Sequence, residues 1–281
     1  MHATITYWRN DSLQGLETCL VLNSCHSFPK HVHDTVYAVG LMEKGASYSL
    51  GPGRDDGLVG AGQIALINPG QVHSGVPAFG RSVTYRMLYF DTDLMRSVSE
   101  ELNPGQGALP EFTSVVVNDP ILRLKLVRLC ESMTDPSEGL ERQSLLIDVM
   151  ARLLSGYAGV RKPRETAFGH PRVVRRAKAF MAADLDRKIT LDDLTRSVGL
   201  SRYHLIRIFK KHTGLPPHLY RTQCRLDLAK TLLRRGMPFA QVALETGFTD
   251  QSHFTNKFKQ FTAATPSQYV DANTASSHFG C

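Results

Sequence analysis

A repeat in the last hundred residues constrains the fold more than any other feature of the chain. Leu191, Leu194, Gly199 and Leu200 recur 48 residues later as Phe239, Val242, Gly247 and Phe248. After one inserted residue, Leu205, Phe209 and Lys210 recur at an offset of 49 as Phe254, Phe258 and Lys259. Each copy predicts a short helix, a glycine-apolar turn, and a second helix opened by a polar residue. In the first copy Thr190 can cap a helix with the apolar face Leu191, Leu194 and Val198. Gly199 supplies the backbone freedom of a tight turn, and Ser201 caps a helix with Leu205, Ile208 and Phe209 facing inward. Two helices about a glycine turn, the second free to enter a major groove, follow helix-turn-helix grammar. One such match is weak, because helical hairpins of this length are common. Two in one segment are far more specific. Between them Pro217 to Arg235 reads as a single helix, and its 19 residues give a rod of roughly 28 Å. That length permits two reading heads on successive major-groove faces, about 34–36 Å apart.

Charge separates the same segment from the rest. The net +7 of the 281 residues hides 12 Lys/Arg against 17 Asp/Glu in 1–160, and 21 against 9 in 161–281. A net of −5 beside a net of +12 points only the C-terminal part at a polyanion. With 42% hydrophobic and 21% charged residues, the composition is that of a soluble globular protein with room for two domains. The five cysteines are odd in number, scattered and without a CxxC pair. That argues against a disulfide framework or zinc knuckle and fits a reducing cytosol. Met1 to Asn10 lack the plan of a secretory signal. No uncharged apolar run approaches the roughly 20 residues of a membrane span. The expectation is a cytoplasmic protein with no membrane partner.

Residues 1 to about 115 read as β-rich. Val36–Leu41 and Ile64–Ile67 are β-prone runs, with turn signals at 51–57 and at Asn68-Pro69-Gly70. Short strands divided in this way predict a sandwich or small barrel. From Asp119 to Ala158 two helices follow, around Ile121–Leu129 and Leu145–Leu154, broken at 135–139. Residues 161–166 lack apolar periodicity and read as a linker. Pro171 then suits the first turn of a helix running to about Asp184.

The run Gly199-Leu200-Ser201-Arg202-Tyr203-His204-Leu205-Ile206-Arg207-Ile208-Phe209-Lys210 resembles the first reading unit of the AraC/XylS family. Gly247-Phe248-Thr249-Asp250-Gln251-Ser252-His253-Phe254-Thr255-Asn256-Lys257-Phe258-Lys259, then Thr265-Pro266 and Tyr269, resembles the second. The likeness spans about Pro171 to Val270. It implies a transcription regulator that reads double-stranded DNA in two adjacent major grooves. The family pattern places base contacts at Arg202, Tyr203, Ile206 and Arg207, and at Gln251, Ser252, His253, Thr255 and Asn256. Arg207 can grip guanine O6 and N7 in bidentate fashion, or else a phosphate. Ile206 can offer a thymine methyl only apolar contact. Gln251 and Asn256 carry amides that pair with adenine edges. Lys210, Lys211, Lys257 and Lys259 suit phosphates, which position without specifying.

The N-terminal part resembles the same family's cupin-like sensor through His31-Val32-His33, Glu43-Lys44-Gly45, Gly62 and Pro69-Gly70-Gln71-Val72-His73. The fold class this implies is multidomain α+β. A cupin-like barrel at 1–118 and a helical dimerisation segment at 119–160 precede a linker at 161–170 and an all-α domain with two helix-turn-helix motifs at 171–272. His31, His33, Tyr37, His73, Tyr85 and Arg86 are candidates to line a pocket for a small-molecule effector, Arg86 through a carboxylate. Three histidines could also hold a divalent metal. Tyr37 stands where metal-binding cupins have an acidic ligand, so the favoured pocket is metal-free and no cofactor is expected. The helices at 119–158 offer Leu122, Leu126, Leu129, Leu146, Val149 and Leu153 either to a homodimer seam or to the barrel. RNA polymerase is a further partner that the family reading allows. A metal-dependent cupin enzyme with a nucleic-acid-binding appendage is the competing reading. The doubled reading unit and Tyr37 favour a regulator without catalytic residues.

Overall fold

The computed structural model describes residues 3–50, 56–102, 109–133, 139–160 and 171–271. They fall into two compact units, the first holding most residues before 162 and the second residues 30–32 with those from 171 to 270. The expected linker at 161–170 lies outside the described residues, as do most of the turn at 51–57 and most of the break at 135–139.

The first unit runs β1 (Thr4–Arg9), β2 (Leu16–Ser24), β3 (Phe28–His31), β4 (Val36–Lys44), β5 (Ala46–Leu50), β6 (Asp56–Gly60), β7 (Ile64–Ile67), β8 (His73–Pro77) and β9 (Val83–Asp91). Helix α1 (Thr92–Leu102), strands β10 (Pro110–Phe112) and β11 (Val116–Val117), helices α2 (Pro120–Ser132) and α3 (Gly139–Tyr157), and β12 (Ala158–Val160) follow. One sheet has the order β1-β2-β9-β4-β7-β11 and a second β3-β8-β5-β6, while β10 pairs with β12. This is the β-rich, cupin-like domain that the sequence predicts. The helix α1 is additional: it follows β9 directly and buries Met95 and Val98.

Alternation along the central strands divides the six-stranded sheet into two faces. Tyr37, Val39, Leu41, Ile64, Leu66, Leu88 and Phe90 form one, packed against Met95, Leu122, Leu126, Leu129, Leu146, Val149 and Leu153 of the three helices. Each of those side chains contributes about 1.5–3 kcal/mol by leaving water. The residues offered to a dimer seam are therefore core residues, all at most 5% exposed. Packing on the sheet consumes that face, so of the two alternatives these residues serve the barrel and not a seam. The other face is floored by small residues. Gly40 pairs with Met87 and Ala65, and a Cβ at Gly40 would stand 2.7 Å from the Met87 sulfur. Val59 of β6 meets Met42, Ala65 and Val83 there, with Tyr85 packed alongside, so this face looks into the space between the two sheets.

The second unit is helical: α4 (Pro171–Ala183), α5 (Leu191–Val198), α6 (Arg202–Thr213), α7 (Pro217–Arg234), α8 (Phe239–Glu245), α9 (Gln251–Thr262) and α10 (Pro266–Asp271). Thr190 caps α5 in a reciprocal box with Asp193, and Gly199 ends that helix in the left-handed region at φ 72°. Ser201 caps α6 through the His204 N–H, and Asp250 caps α9 through the His253 N–H. The repeat extends beyond the positions that reveal it in the sequence. Thr213 donates its hydroxyl to the Phe209 carbonyl at 2.8 Å, and Thr262 to that of Phe258 at 2.7 Å. Phe209 meets Tyr220 edge-on at 5.5 Å, and Phe258 meets Tyr269 at 5.3 Å. Among the described residues no helix is long and apolar enough to cross a membrane.

Candidate functional site

The two reading helices expose the faces that their sequence periods imply. On α6, Leu205, Ile208 and Phe209 are buried, while Arg202, Tyr203, Ile206, Arg207, Lys210 and Lys211 form an exposed stripe. Tyr203 is 77% exposed, far more than an aromatic serving the core. Arg202 is not idle: its guanidinium grips the Asp192 carboxylate through Nε and Nη2, both at 2.5 Å. That pair bridges α5 and α6 across the turn, and its hydrogen bonds hold the Asp192 carboxyl below the usual range. On α9, Phe254 and Phe258 are buried, and Gln251, Ser252, His253 and Asn256 are exposed. Thr255 and Lys257 are half-buried, with the Lys257 ammonium donating to Gln260 at 3.1 Å. The His253 ring stands edge-on to Phe248 at 5.4 Å and lies 3.3 Å from the Thr249 hydroxyl. It belongs to the turn as much as to the open face.

Two arginines absent from the sequence analysis and the turn glycine of the second copy fix the unit. Arg221 of α7 is buried and donates to the Asp184 carbonyl at 2.8 Å and also to that of Arg187. Arg225 donates to Leu185 at 2.9 Å. A Cβ on Gly247, the turn glycine of the second copy, would meet the Leu185 and Asp186 carbonyls at 2.4 and 2.8 Å. The loop after α4 is thus held by the rod and covered by the second turn. Only the long-range packing reveals this, since Arg221 and Arg225 read in sequence as ordinary basic residues. Arg172, Arg175 and Arg176 on α4 line a cleft with Val198 and add positive charge beside the first copy.

Beside the β-strands the structure gathers three of the six proposed pocket residues. His31 ends β3, His33 follows it, and His73 opens β8, the neighbour of β3. Their ligand-capable nitrogens all lie within 4.8 Å of one another. His31 and His73 are buried and His33 half-buried. Burial holds His73 down at about 4, opposed in part by its hydrogen bond to the Gln71 carbonyl, so the ring is neutral at pH 7. Tyr85 lies on the inner face, where burial pushes its phenol well above the ordinary value. Tyr37 and Arg86 do not join them. The Tyr37 ring sits in the helix-facing core and its hydroxyl donates to the Pro110 carbonyl at 2.6 Å. Arg86 shares that outer face, opposite Leu41 and Leu20 in register, and donates to Glu43 at 2.5 Å. Tyr89, which the sequence reading omits, meets His33 edge-on at 5.9 Å.

Two family models match this chain: an AraC-like ligand binding domain over residues 23–150 and a helix-turn-helix domain over 194–272. The uncharacterized HTH-type transcriptional regulator YbfI of Bacillus subtilis (strain 168) is 32% identical over 232 residues, 80% of this chain and 81% of that protein. The HTH-type transcriptional regulator ArgR of Pseudomonas aeruginosa is 30% identical over 121 residues, 42% of this chain and 36% of its own length. Among solved structures, ToxT of Vibrio cholerae with an unsaturated fatty acid bound superposes with a TM-score of 0.55 at 15% identity, covering 97% of this chain and 96% of that one.

Proposed function

The chain belongs to the AraC-type family of helix-turn-helix transcriptional regulators, and from that premise we propose how its two units divide the work. The second unit reads duplex DNA with α6 and α9. Arg207, Tyr203 and Ile206 take the first groove, and Gln251, Ser252, Thr255 and Asn256 the second. Arg202 and His253 brace their turns and reach DNA only at the edge of each helix. Lys210, Lys211, Lys257 and Lys259 neutralise phosphates.

The first unit binds a small effector between its sheets. ToxT was solved with a fatty acid; here histidines and tyrosines beside a floor of small residues favour a compact polar molecule over a long acyl chain. His31, His33, His73, Tyr85 and Tyr89 would face it, and the protein acts by binding rather than catalysis. Self-association falls to the apolar side chains left outside the core, Ile121 and Leu124 of α2 and Ile147 of α3, each more than 40% exposed.

The observation that carries this reading is the pair of matched helices, each capped, each buried on one side and open and polar on the other. The test is selection of the full-length protein on a pool of randomised duplexes at physiological salt. Enrichment of a two-part motif supports the reading. A pool that stays random through successive rounds refutes it.

A further inference from the structure

The sequence offers Arg86 as the arginine to hold an effector carboxylate, and the structure turns Arg86 toward the helices. An arginine that does face inward is Arg9, on the edge strand β1. Trp8 beside it packs against the helix-facing core, so alternation puts Arg9 on the opposite face, toward the space between the sheets. Glu17 lies directly across from it on β2. The guanidinium donates from Nε at 2.5 Å and also from Nη2, both to the Glu17 Oε2. The two side chains are only 14% and 12% exposed.

The register carries this row across the sheet. Glu17 stands opposite Tyr89, Tyr89 opposite Ala38, and Ala38 opposite Ile67. A cation, a carboxylate and a phenol thus sit side by side, with neighbouring Cβ atoms about 5 Å apart, and the row ends in apolar side chains. About 7 Å along the strands, the next inward row is Tyr7, Cys19, Met87, Gly40 and Ala65. That row has no charged member. The Met87 thioether lies over Gly40, and its flexibility makes an adaptable floor.

Water reaches this face. Strand β9 lies inside the sheet, between β2 and β4, and its outward Leu88 and Phe90 are fully buried. Its inward Tyr85, Met87 and Tyr89 are each only half-buried, so accessible surface remains beside the ion pair. A pair largely withdrawn from water adds little to stability, because desolvation offsets the attraction and two apolar side chains would serve the sheet as well. Its chemistry suits recognition instead. A guanidinium grips a carboxylate in bidentate fashion, and the carboxylate beside it accepts from an ammonium. A ligand with one charge alone is repelled by one member of the pair; a ligand with both charges a few bonds apart satisfies each.

We propose that Arg9, Glu17 and Tyr89 form the ionic end of the effector site and that the effector is a small zwitterion of the α-amino acid class. Its carboxylate lies on Arg9, its ammonium on Glu17, and its side chain over Met87 and Gly40. This assignment names the ligand class within the effector reading above and rests on that reading.

The test melts the full-length protein with each of the common L-α-amino acids in turn, and with panels of carboxylic acids, amines and sugars. At least one amino acid should raise Tm, while the hydroxy acid that replaces its ammonium and the amine that lacks its carboxylate should not. Arg9→Leu combined with Glu17→Leu removes both charges together and leaves neither buried alone. It should weaken binding of that amino acid at least about tenfold with an unchanged circular dichroism spectrum. Arg86→Leu combined with Glu43→Leu deletes the ion pair on the other face of the sheet and should keep the Tm rise. Should the first double variant lose its spectrum, Glu17→Gln decides, since it keeps the side-chain shape and should narrow the gap between amino acid and hydroxy acid. A Tm rise that the hydroxy acid or the amine reproduces, or that survives in the folded Arg9 and Glu17 variants, overturns the proposal and leaves the effector reading standing. A rise with sugars, acids or amines but with no amino acid does the same. Silence across all four panels removes the effector reading as well.

Discussion

At the residue scale, the exposed face of α6 was legible because burial there follows the 3.6-residue period without exception: Leu205, Ile208 and Phe209 in, Arg202, Tyr203, Ile206 and Arg207 out. The Arg202 partner was not, because Asp192 lies ten residues away and only the turn brings them together. Arg207 is engaged in no ion pair among the described residues, which makes it the better candidate for base contact under the proposed reading. Arg207→Ala should cost about 1–3 kcal/mol on the selected duplex and relax preference at one base pair. Lys257→Ala should weaken all duplexes alike and lower the salt slope by about one contact. Equal losses on every sequence for both variants would remove Arg207 from the base contacts. A second single-residue effect comes from the repeat. Gly214 and Ala263 end α6 and α9 in the same left-handed conformation, at φ 73° and 60°. Only the first has the residue suited to it. Ala263→Gly should raise stability by about 1 kcal/mol, visible as a Tm increase; an unchanged or lower Tm would show that the strain is absent.

At the element scale, helices were read better than strand faces. The two helices after Asp119 and the seven from Pro171 carry caps, prolines and periods that sequence displays. Strand β4 does not disclose its inner face, since Tyr37 through Met42 are buried on both sides of the sheet. Alternation then ceases to mark direction, so the sequence places Tyr37 in the pocket although it faces the helices, as does Arg86 of β9, opposite Leu41. The start of α2 shows how one residue anchors an element. Asp119 caps it through the Ile121 and Leu122 N–H groups, both at 3.0 Å, and takes Arg152 at 2.9 Å and the Tyr157 hydroxyl at 2.8 Å. Burial alone would raise its carboxyl, but these donors outweigh it and hold the group at about 2. A depressed carboxyl stabilises the fold above its unfolded value near 4 and ceases to do so as pH falls toward 2. Asp119→Asn keeps the cap acceptor and loses the charge. It should cost about 2 kcal/mol at pH 6, and the gap from the parent should shrink as denaturant melts are taken down from pH 5 to pH 3. A gap that does not change with pH would mean that the charge is irrelevant.

At the scale of the whole molecule, the repeat made the architecture legible, and the interactions that make it rigid lay hidden in loops. Eighteen residues of α7 separate the reading units by a rod of about 27 Å. A rod alone would still let each head swivel. Arg221 and Arg225 fasten the loop at 184–187 to the rod, and the Gly247 turn closes onto the same loop with no room for a Cβ. The two heads are thus registered to each other before DNA arrives, so their spacing belongs to the protein rather than to the operator. Such a unit should bind half-motifs whose centres lie about 10 base pairs apart and reject other separations. Duplexes with two base pairs inserted between the half-motifs should bind at least tenfold more weakly, a penalty of about 1.4 kcal/mol, because one helix is then turned out of its groove. Arg221→Ala releases the loop from the rod. Its binding to the parent duplex should fall, while the ratio between the parent and inserted duplexes should move toward one. If the parent protein already binds both duplexes equally, the heads are independent and the clamp has no part in recognition. If Arg221→Ala weakens both in proportion, the clamp supports folding without setting the spacing.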